Sequence, residues 1–365
     1  MVSMKKICFL AQFPPPIHGL SKAVDTLFHS DLNNKYKFCK IDITSNSRIL
    51  QTLIAIIRSK ANIFYFTISQ TRGGNLRDLI FLELIKLKKR KCIIHLHGGY
   101  YKSLMQNDCG TIQRWINGKL MNHVDKAIVL GDSLRNMFEG FVPQDRIRVV
   151  PNCIDDEFLP SKISDKLTSI HERSSIHVVY LSNFIKEKGY REVLEIARLM
   201  QNRNRGKDIV FHFAGKFFNK EEQTFFDSFI ENNNLSNIKY HGIVMAEEKQ
   251  QLLKIGNVMV LLTRYPNEGQ PISLLEGMGN GMAIITTNHS GIPDIVTDKN
   301  GYICDKHHIG VEVIADYLEN CWTDRDYLSR VCNNNFQWVK ENFTQKQYIE
   351  NMDKVFEEVY NERLD

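Results

Sequence analysis

Residues 264–296 read R-Y-P-N-E-G-Q-P-I-S-L-L-E-G-M-G-N-G-M-A-I-I-T-T-N-H-S-G-I-P-D-I-V, and this stretch decides the fold. It follows an apolar run, Val258 to Leu262, with the length and composition of a fully buried strand. Gly269 permits a tight turn, and the fixed φ of Pro271 suits the first position of a helix. Leu274, Leu275 and Met278 are expected in the core, and Gly279 or Gly281 ends the helix. A second strand follows, Ala283 to Thr286. Two carboxylates bracket the helix start with seven residues between them: Glu268 in the loop, Glu276 inside the helix. The N–H groups at such a start form an anion site suited to phosphate. A phosphate cradle flanked by two hydroxyl acceptors points to a sugar nucleotide.

The E-x7-E spacing, with Gly269 after the first Glu and Gly291-Ile292-Pro293-Asp294 after the next strand, resembles the retaining glycosyltransferases of family 4. The resemblance covers nearly the whole chain and is most specific over residues 264–301. It implies an α/β protein of GT-B fold: two facing Rossmann-like domains with a cleft between them and a C-terminal helix crossing back. The expected domains are residues 1–157, on the acceptor side and joined by about 343–365, and residues 158–342, on the nucleotide-sugar side.

The 365 residues allow two domains with full cores, and the 43% apolar and 24% charged content is that of a globular protein. Charge is unevenly spread. Residues 1–160 carry 23 Lys and Arg against 13 Asp and Glu, or +10, and the remainder 24 against 29, or −5. A basic first half suits an anionic partner or surface. The eight cysteines include no C-x-x-C pair, a pattern of a reducing cytosol rather than a disulfide framework. The opening M-V-S-M-K-K-I-C-F-L-A-Q reads as a strand, not a signal peptide, and no run approaches the ~18 to 20 apolar residues of a membrane span. The expected location is cytoplasmic.

Working outward, Ile7 to Ala11 is a first strand, followed by Pro14-Pro15-Pro16, Gly19 and a helix, without a G-x-G-x-x-G fingerprint. Strands at Tyr36–Ile41, Asn62–Phe66 and Lys91–Leu96 alternate with helices at Ile49–Arg58 and Leu76–Leu87, which argues for a parallel, doubly wound sheet. His97 then falls beyond a strand's carboxyl end, where such sheets bind ligands. His95 shares its face but has no third ligand nearby, so no metal site is read there. Lys86, Lys88, Lys89, Arg90 and Lys91 form a basic run that serves either as a solvated helix end or as a contact to anionic lipid. Residues 158–175 read as a polar linker. A second strand-loop-helix series opens at Ile176, with Lys188 placed to neutralise phosphate.

Other chemistries fit less well. A glycoside hydrolase needs two carboxyls roughly 5 to 9.5 Å apart, and a phosphate cradle serves no purpose in it. The glycines at 277–281 follow a helix where a nucleotide loop precedes one, which disfavours a nicotinamide enzyme. The basic residues sit on no nucleic-acid module.

What the family resemblance implies is transfer of a sugar from a nucleoside diphosphate sugar to an acceptor hydroxyl, with retained configuration and no metal or other cofactor. Glu268 contacts the transferred sugar, His97 reaches toward it, and Glu276 holds the ribose hydroxyls. Lys188, Gly19 and the segment Gly269, Gln270, Pro271, Ile272 and Ser273 meet the diphosphate. Gly19 is the second of a family Gly-Gly pair whose first place is taken by His18. Asn183 stands where the family has an arginine, and Arg264 is a candidate to supply that charge. The acceptor is expected to be a glycan or a lipid-diphosphate-linked oligosaccharide in surface polysaccharide assembly (capsule, O-antigen or exopolysaccharide), at the inner membrane face. Two alternatives stay open: a GT-B sugar-nucleotide epimerase and a non-catalytic nucleotide-sugar-binding protein.

Overall fold

The computed structural model describes residues 5–16 and 19–362; His18 lies outside the described residues. The chain divides into two compact units, Met1–Cys153 with Gln345–Asp365, and Ile154–Thr344.

Unit 1 is built on six parallel strands: β1 (Lys5–Ala11), β2 (Tyr36–Asp42), β3 (Ile63–Thr67), β4 (Lys91–His95), β5 (Lys126–Val129) and β6 (Ile147–Val149), in the order β2-β1-β3-β4-β5-β6. β3 and β4 are buried throughout, as apolar runs covered on both faces should be. One face packs against helices Ile49–Arg58, Arg72–Leu87 and Thr111–Met121, and the other against Gly19–Phe28 and Gln345–Asn361. The last helix belongs here because Tyr348, Met352, Val355, Phe356 and Val359 recur at helical spacing and are all buried. Its polar side is fixed as well: Lys35 pairs with Asp353 and Glu357, Lys126 with Glu358 and Glu362, and Arg148 with Glu358.

Unit 2 has β7 (Ile176–Leu181), β8 (Ile209–Ala214), β9 (Ile238–Tyr240), β10 (Val258–Leu261), β11 (Ala283–Thr287) and β12 (Gly301–Cys304), all parallel, in the order β12-β11-β10-β7-β8-β9. Counted within the unit this is the 3-2-1-4-5-6 order of a dinucleotide-type fold, with its reversal between β7 and β10.

Two expectations are corrected. The 158–175 segment is not an open linker: it holds the helix Ser164–Glu172, which buries Ile170 and Lys166. Lys166 donates to Leu253 O and Asn280 O, the carbonyl ends of two helices, and burial draws its pKa down to about 7. The helix expected from Leu76 starts at Arg72, because Thr71 Oγ1 accepts the Gly74 N–H at 3.2 Å and caps it ahead of two glycines.

Unit 2 also carries a ladder of imidazoles. His177 Nδ1 lies 2.8 Å from His212 Nε2, and His212 Nδ1 lies 2.8 Å from His241 Nε2. Burial, with Arg173 beside His177 and the neighbouring imidazoles beside His212, lowers their pKa values to about 4 and about 3. Unfolded imidazoles titrate near 6.5, so the unfolded chain takes up protons first as pH falls. The ladder's stability is complete above about pH 6.5 and drains away toward pH 4 and 3. Urea midpoints of wild type are expected to fall between pH 7 and pH 4, and His212→Asn should show a shallower fall. Parallel pH curves for the two proteins would contradict this.

Candidate functional site

In an open parallel sheet, loops on either side of the strand-order reversal diverge and leave a crevice beyond the carboxyl ends. In unit 2 those loops follow β7 and β10. The first makes a 3₁₀ turn, Lys186–Lys188, and closes on Gly189 in the left-handed region, φ 79°. Gly189 lies so close to β10 that an added Cβ would sit 2.3 Å from Leu262 O. Arg264 N–H donates to Glu187 O at 2.7 Å, lacing the two loops together.

That lacing delivers Lys188 to Glu268. Lys188 Nζ is 3.1 Å from Glu268 Oε2, with side-chain exposures of 17 and 10%. Thr263 Oγ1 donates to the same carboxylate oxygen at 3.2 Å, and Ser290 Oγ donates to Glu268 O. Lys188 Nζ also lies 5.3 Å from the centre of the Tyr265 ring. A charge pair this far out of water holds together because each partner would otherwise be an uncompensated buried ion.

Gly269, Gln270 and Pro271 are buried and lead into the helix Ile272–Gly279, with Pro271 (φ −64°) as its cap and Ile272 and Ser273 half-buried in the first turn. Leu274, Leu275 and Met278 are fully buried, as the sequence indicates. The helix sits hard on β10: a Cβ on Gly277 would come 2.7 Å from Met259 Sδ. It ends at Gly281, φ 63°, where Met282 N–H donates to Gly277 O and Gly281 N–H to Met278 O, so the glycine cluster is a helix stop. The positive end of this helix therefore opens next to the Lys188–Glu268 pair, where it favours an anion.

Glu276, 3% exposed, projects from the second turn, and Lys249 Nζ stands 2.6 Å from its Oε1. Lys249 lies over the Phe158 ring at 4.3 Å. The two carboxylates are thus each matched to their own lysine. Lys249 was not singled out in the sequence, since its partner lies 27 residues away on another helix.

Asn183 is exposed; its carbonyl accepts the Tyr180 hydroxyl at 3.0 Å, and its Oδ1 accepts the Lys216 N–H. Arg264 is committed elsewhere: its guanidinium pairs with Glu192 Oε1 at 2.6 Å, at the start of the helix Tyr190–Asn202. The spacing D-x-D occurs at Asp324-Arg325-Asp326, where Asp324 caps a helix by accepting the Tyr327 N–H at 2.7 Å.

The other expected residues belong to unit 1, whose own reversal lies between β1 and β3. Gly19 is exposed at the first position of its helix, in the connection after β1. His97, half-buried, follows the carboxyl end of β4. Its ring centre is 3.9 Å from that of His95, which is fully buried, bonds Tyr65 OH through Nδ1 at 2.7 Å, and is held neutral by burial and by His97.

Residues 167–338 match the family described as "Glycosyl transferases group 1". An "Uncharacterized glycosyltransferase MJ1069" of Methanocaldococcus jannaschii is 24% identical over 82% of this chain and 76% of its own length. Among solved structures, a glycosyltransferase from Rickettsia africae superposes with a TM-score of 0.75 at 14% identity, over 99% of this chain and 100% of its own. Anabaena Alr3699/HepE in complex with UDP gives 0.76 at 12% identity, over 97 and 100%. The likeness of these two structures places the α/β architecture in the GT-B class. The family match lies inside unit 2, so that unit resembles the group 1 glycosyl transferases, and the archaeal relative resembles the chain more widely.

Proposed function

We propose that this chain is a retaining, metal-independent glycosyltransferase that moves a sugar from a nucleoside diphosphate sugar to a hydroxyl of a glycan or lipid-diphosphate-linked acceptor in surface polysaccharide assembly. The observation that carries the reading is the Lys188–Glu268 pair at the strand-order reversal, beside the positive end of the helix Ile272–Gly279. The pair keeps both charges compensated until the donor arrives. The diphosphate then takes Lys188 and the N–H groups of Gly269, Gln270, Ile272 and Ser273. Glu268 is released to the hydroxyls of the sugar, and Glu276 accepts from the ribose diol. As the anomeric C–O bond breaks, its electron pair goes to the departing diphosphate, where fixed positive charge is strongest. The acceptor hydroxyl adds to the oxocarbenium-like carbon, and its proton passes to the diphosphate oxygen that left. Unit 1, with its excess of positive charge, is the acceptor side.

HepE was crystallised with UDP and with UDP-glucose, so uridine diphosphate sugars head the donors to test. A ligand that binds only the folded state raises the melting temperature by mass action. In a screen of UDP-, GDP-, ADP- and dTDP-sugars, one nucleotide class should raise Tm by several degrees; no shift from any of them would contradict the reading. Glu276 and Lys249 give a sharper prediction. Lys249→Met leaves Glu276 without its cation and should weaken nucleoside diphosphate binding about tenfold, as should Glu276→Ala, by calorimetry. The double variant should lose little more than either single one, because the two act as a unit. Additive losses would show that Lys249 acts independently of Glu276.

A further inference from the structure

Every large apolar side chain that unit 1 exposes, among the described residues, lies on three helices covering one face of its sheet. Leu50, Ile54 and Ile57 recur at helical spacing on Ile49–Arg58, and Leu76, Ile80 and Leu87 do so on Arg72–Leu87. Ile112 and Trp115 continue the band on Thr111–Met121. The opposite sides of the same helices, at Ile56, Leu79, Phe81, Leu82, Ile85 and Leu120, fill the core, so the outer stripes are surplus to folding. Leu50, Leu87 and Ile112 are 72, 69 and 77% exposed, an arrangement that costs solubility unless something covers it.

Charge says what covers it. Residues 46–60, 72–91 and 111–121 carry twelve Lys and Arg and only two acids, Asp78 and Glu83. Asp78 is buried and paired with Arg77, so it does not face outward. Arg48, Arg58, Lys60, Lys86, Lys89 and Arg90 are exposed around the apolar rows. A second copy docked face to face would set these cations against their own kind. Apolar rows rimmed by cations on a layer of helices have the pattern of an interfacial membrane surface.

We infer that this face seats unit 1 on an anionic lipid bilayer, with the aliphatic rows and Trp115 in the headgroup layer and the surrounding Lys and Arg on lipid phosphates. Lys88 is not among the lipid contacts: its Nζ donates to Ile57 O at 2.6 Å and ties two of the helices together.

The test is co-sedimentation of the full chain with phosphatidylcholine vesicles, with or without phosphatidylglycerol. Binding is expected only with the anionic lipid, weakening as salt rises, with a blue shift of Trp emission that Trp115→Phe removes. Lys86→Gln, Lys89→Asn and Arg90→Gln together should lower partitioning about a hundredfold, at roughly 1 kcal/mol per charge. Ile54→Ser, Ile57→Ser, Ile80→Ser and Leu87→Ser together should abolish it while the thermal melt is retained. Three results would overturn the inference: no sedimentation with anionic vesicles, equal binding to neutral ones, or binding that survives both sets of substitutions. A concentration-dependent dimer that the four serines dissociate would also overturn it, because the face would then belong to a second copy.

Discussion

Lys188→Ala is expected to lower kcat by about a hundred- to a thousandfold, the range seen when one fixed donor to a developing charge is removed. Glu268→Gln should have an effect of similar size. In the proposed function the lysine serves the departing diphosphate and the carboxylate the sugar, so both losses should appear in kcat more than in KM. A structural role must be separated from this, because Lys188→Ala leaves Glu268 a buried carboxylate that has lost its lysine and keeps the Thr263 hydroxyl. Breaking such a pair costs about 3 to 5 kcal/mol, and removing both charges costs far less. Lys188→Met combined with Glu268→Gln should therefore recover much of the stability lost in Lys188→Ala. It should recover none of the turnover. Turnover that returned along with stability would show the pair to be a structural clasp.

Gly189→Ala should be strongly damaging to unit 2. The residue is left-handed, and its Cβ would stand 2.3 Å from a backbone carbonyl that cannot step aside. Strain and clash together should exceed about 3 kcal/mol, and the displaced turn should carry Lys188 away from Glu268 and lower kcat as well. Gly140→Ala is the control. Its φ is 78°, almost the same, but nothing lies within 4 Å of the added Cβ. It should cost only about 1 kcal/mol. Equal urea midpoints for the two variants would mean that the approach of Gly189 to Leu262 does not hold the loop.

The sequence made the centre of unit 2 legible because there each local signal agrees with the packing. β10 is an unbroken apolar run and β11 opens as one, Pro271 opens the intervening helix and Gly281 closes it. Lys188 and Glu268 were both visible as candidates, but their meeting depends on β7 and β10 being neighbours, a pairing between residues about eighty positions apart. Alternation of strands and helices foretells parallel sheets; it does not order them. The helix Ser164–Glu172 was hidden by its composition, since one of its two buried residues is a lysine whose partners are carbonyls on other helices. Lys249 was illegible for the same reason. The apolar stripes at Leu50, Ile54 and Ile57 and at Leu76, Ile80 and Leu87 are plain in the sequence as helical spacing, yet spacing does not say which side of a helix meets the core.

The central claim is that fixed positive charge at the β7/β10 reversal holds the diphosphate of a sugar nucleotide. Calorimetric titration of wild type and Lys188→Ala with a nucleoside, its monophosphate and its diphosphate tests it most directly, using the base selected by the thermal screen. Wild type should bind the diphosphate at least tenfold more tightly than the monophosphate, and Lys188→Ala should remove most of that difference while leaving nucleoside affinity alone. Equal affinities for the diphosphate and the nucleoside, or a Lys188→Ala protein that still distinguishes them as wild type does, would contradict the account.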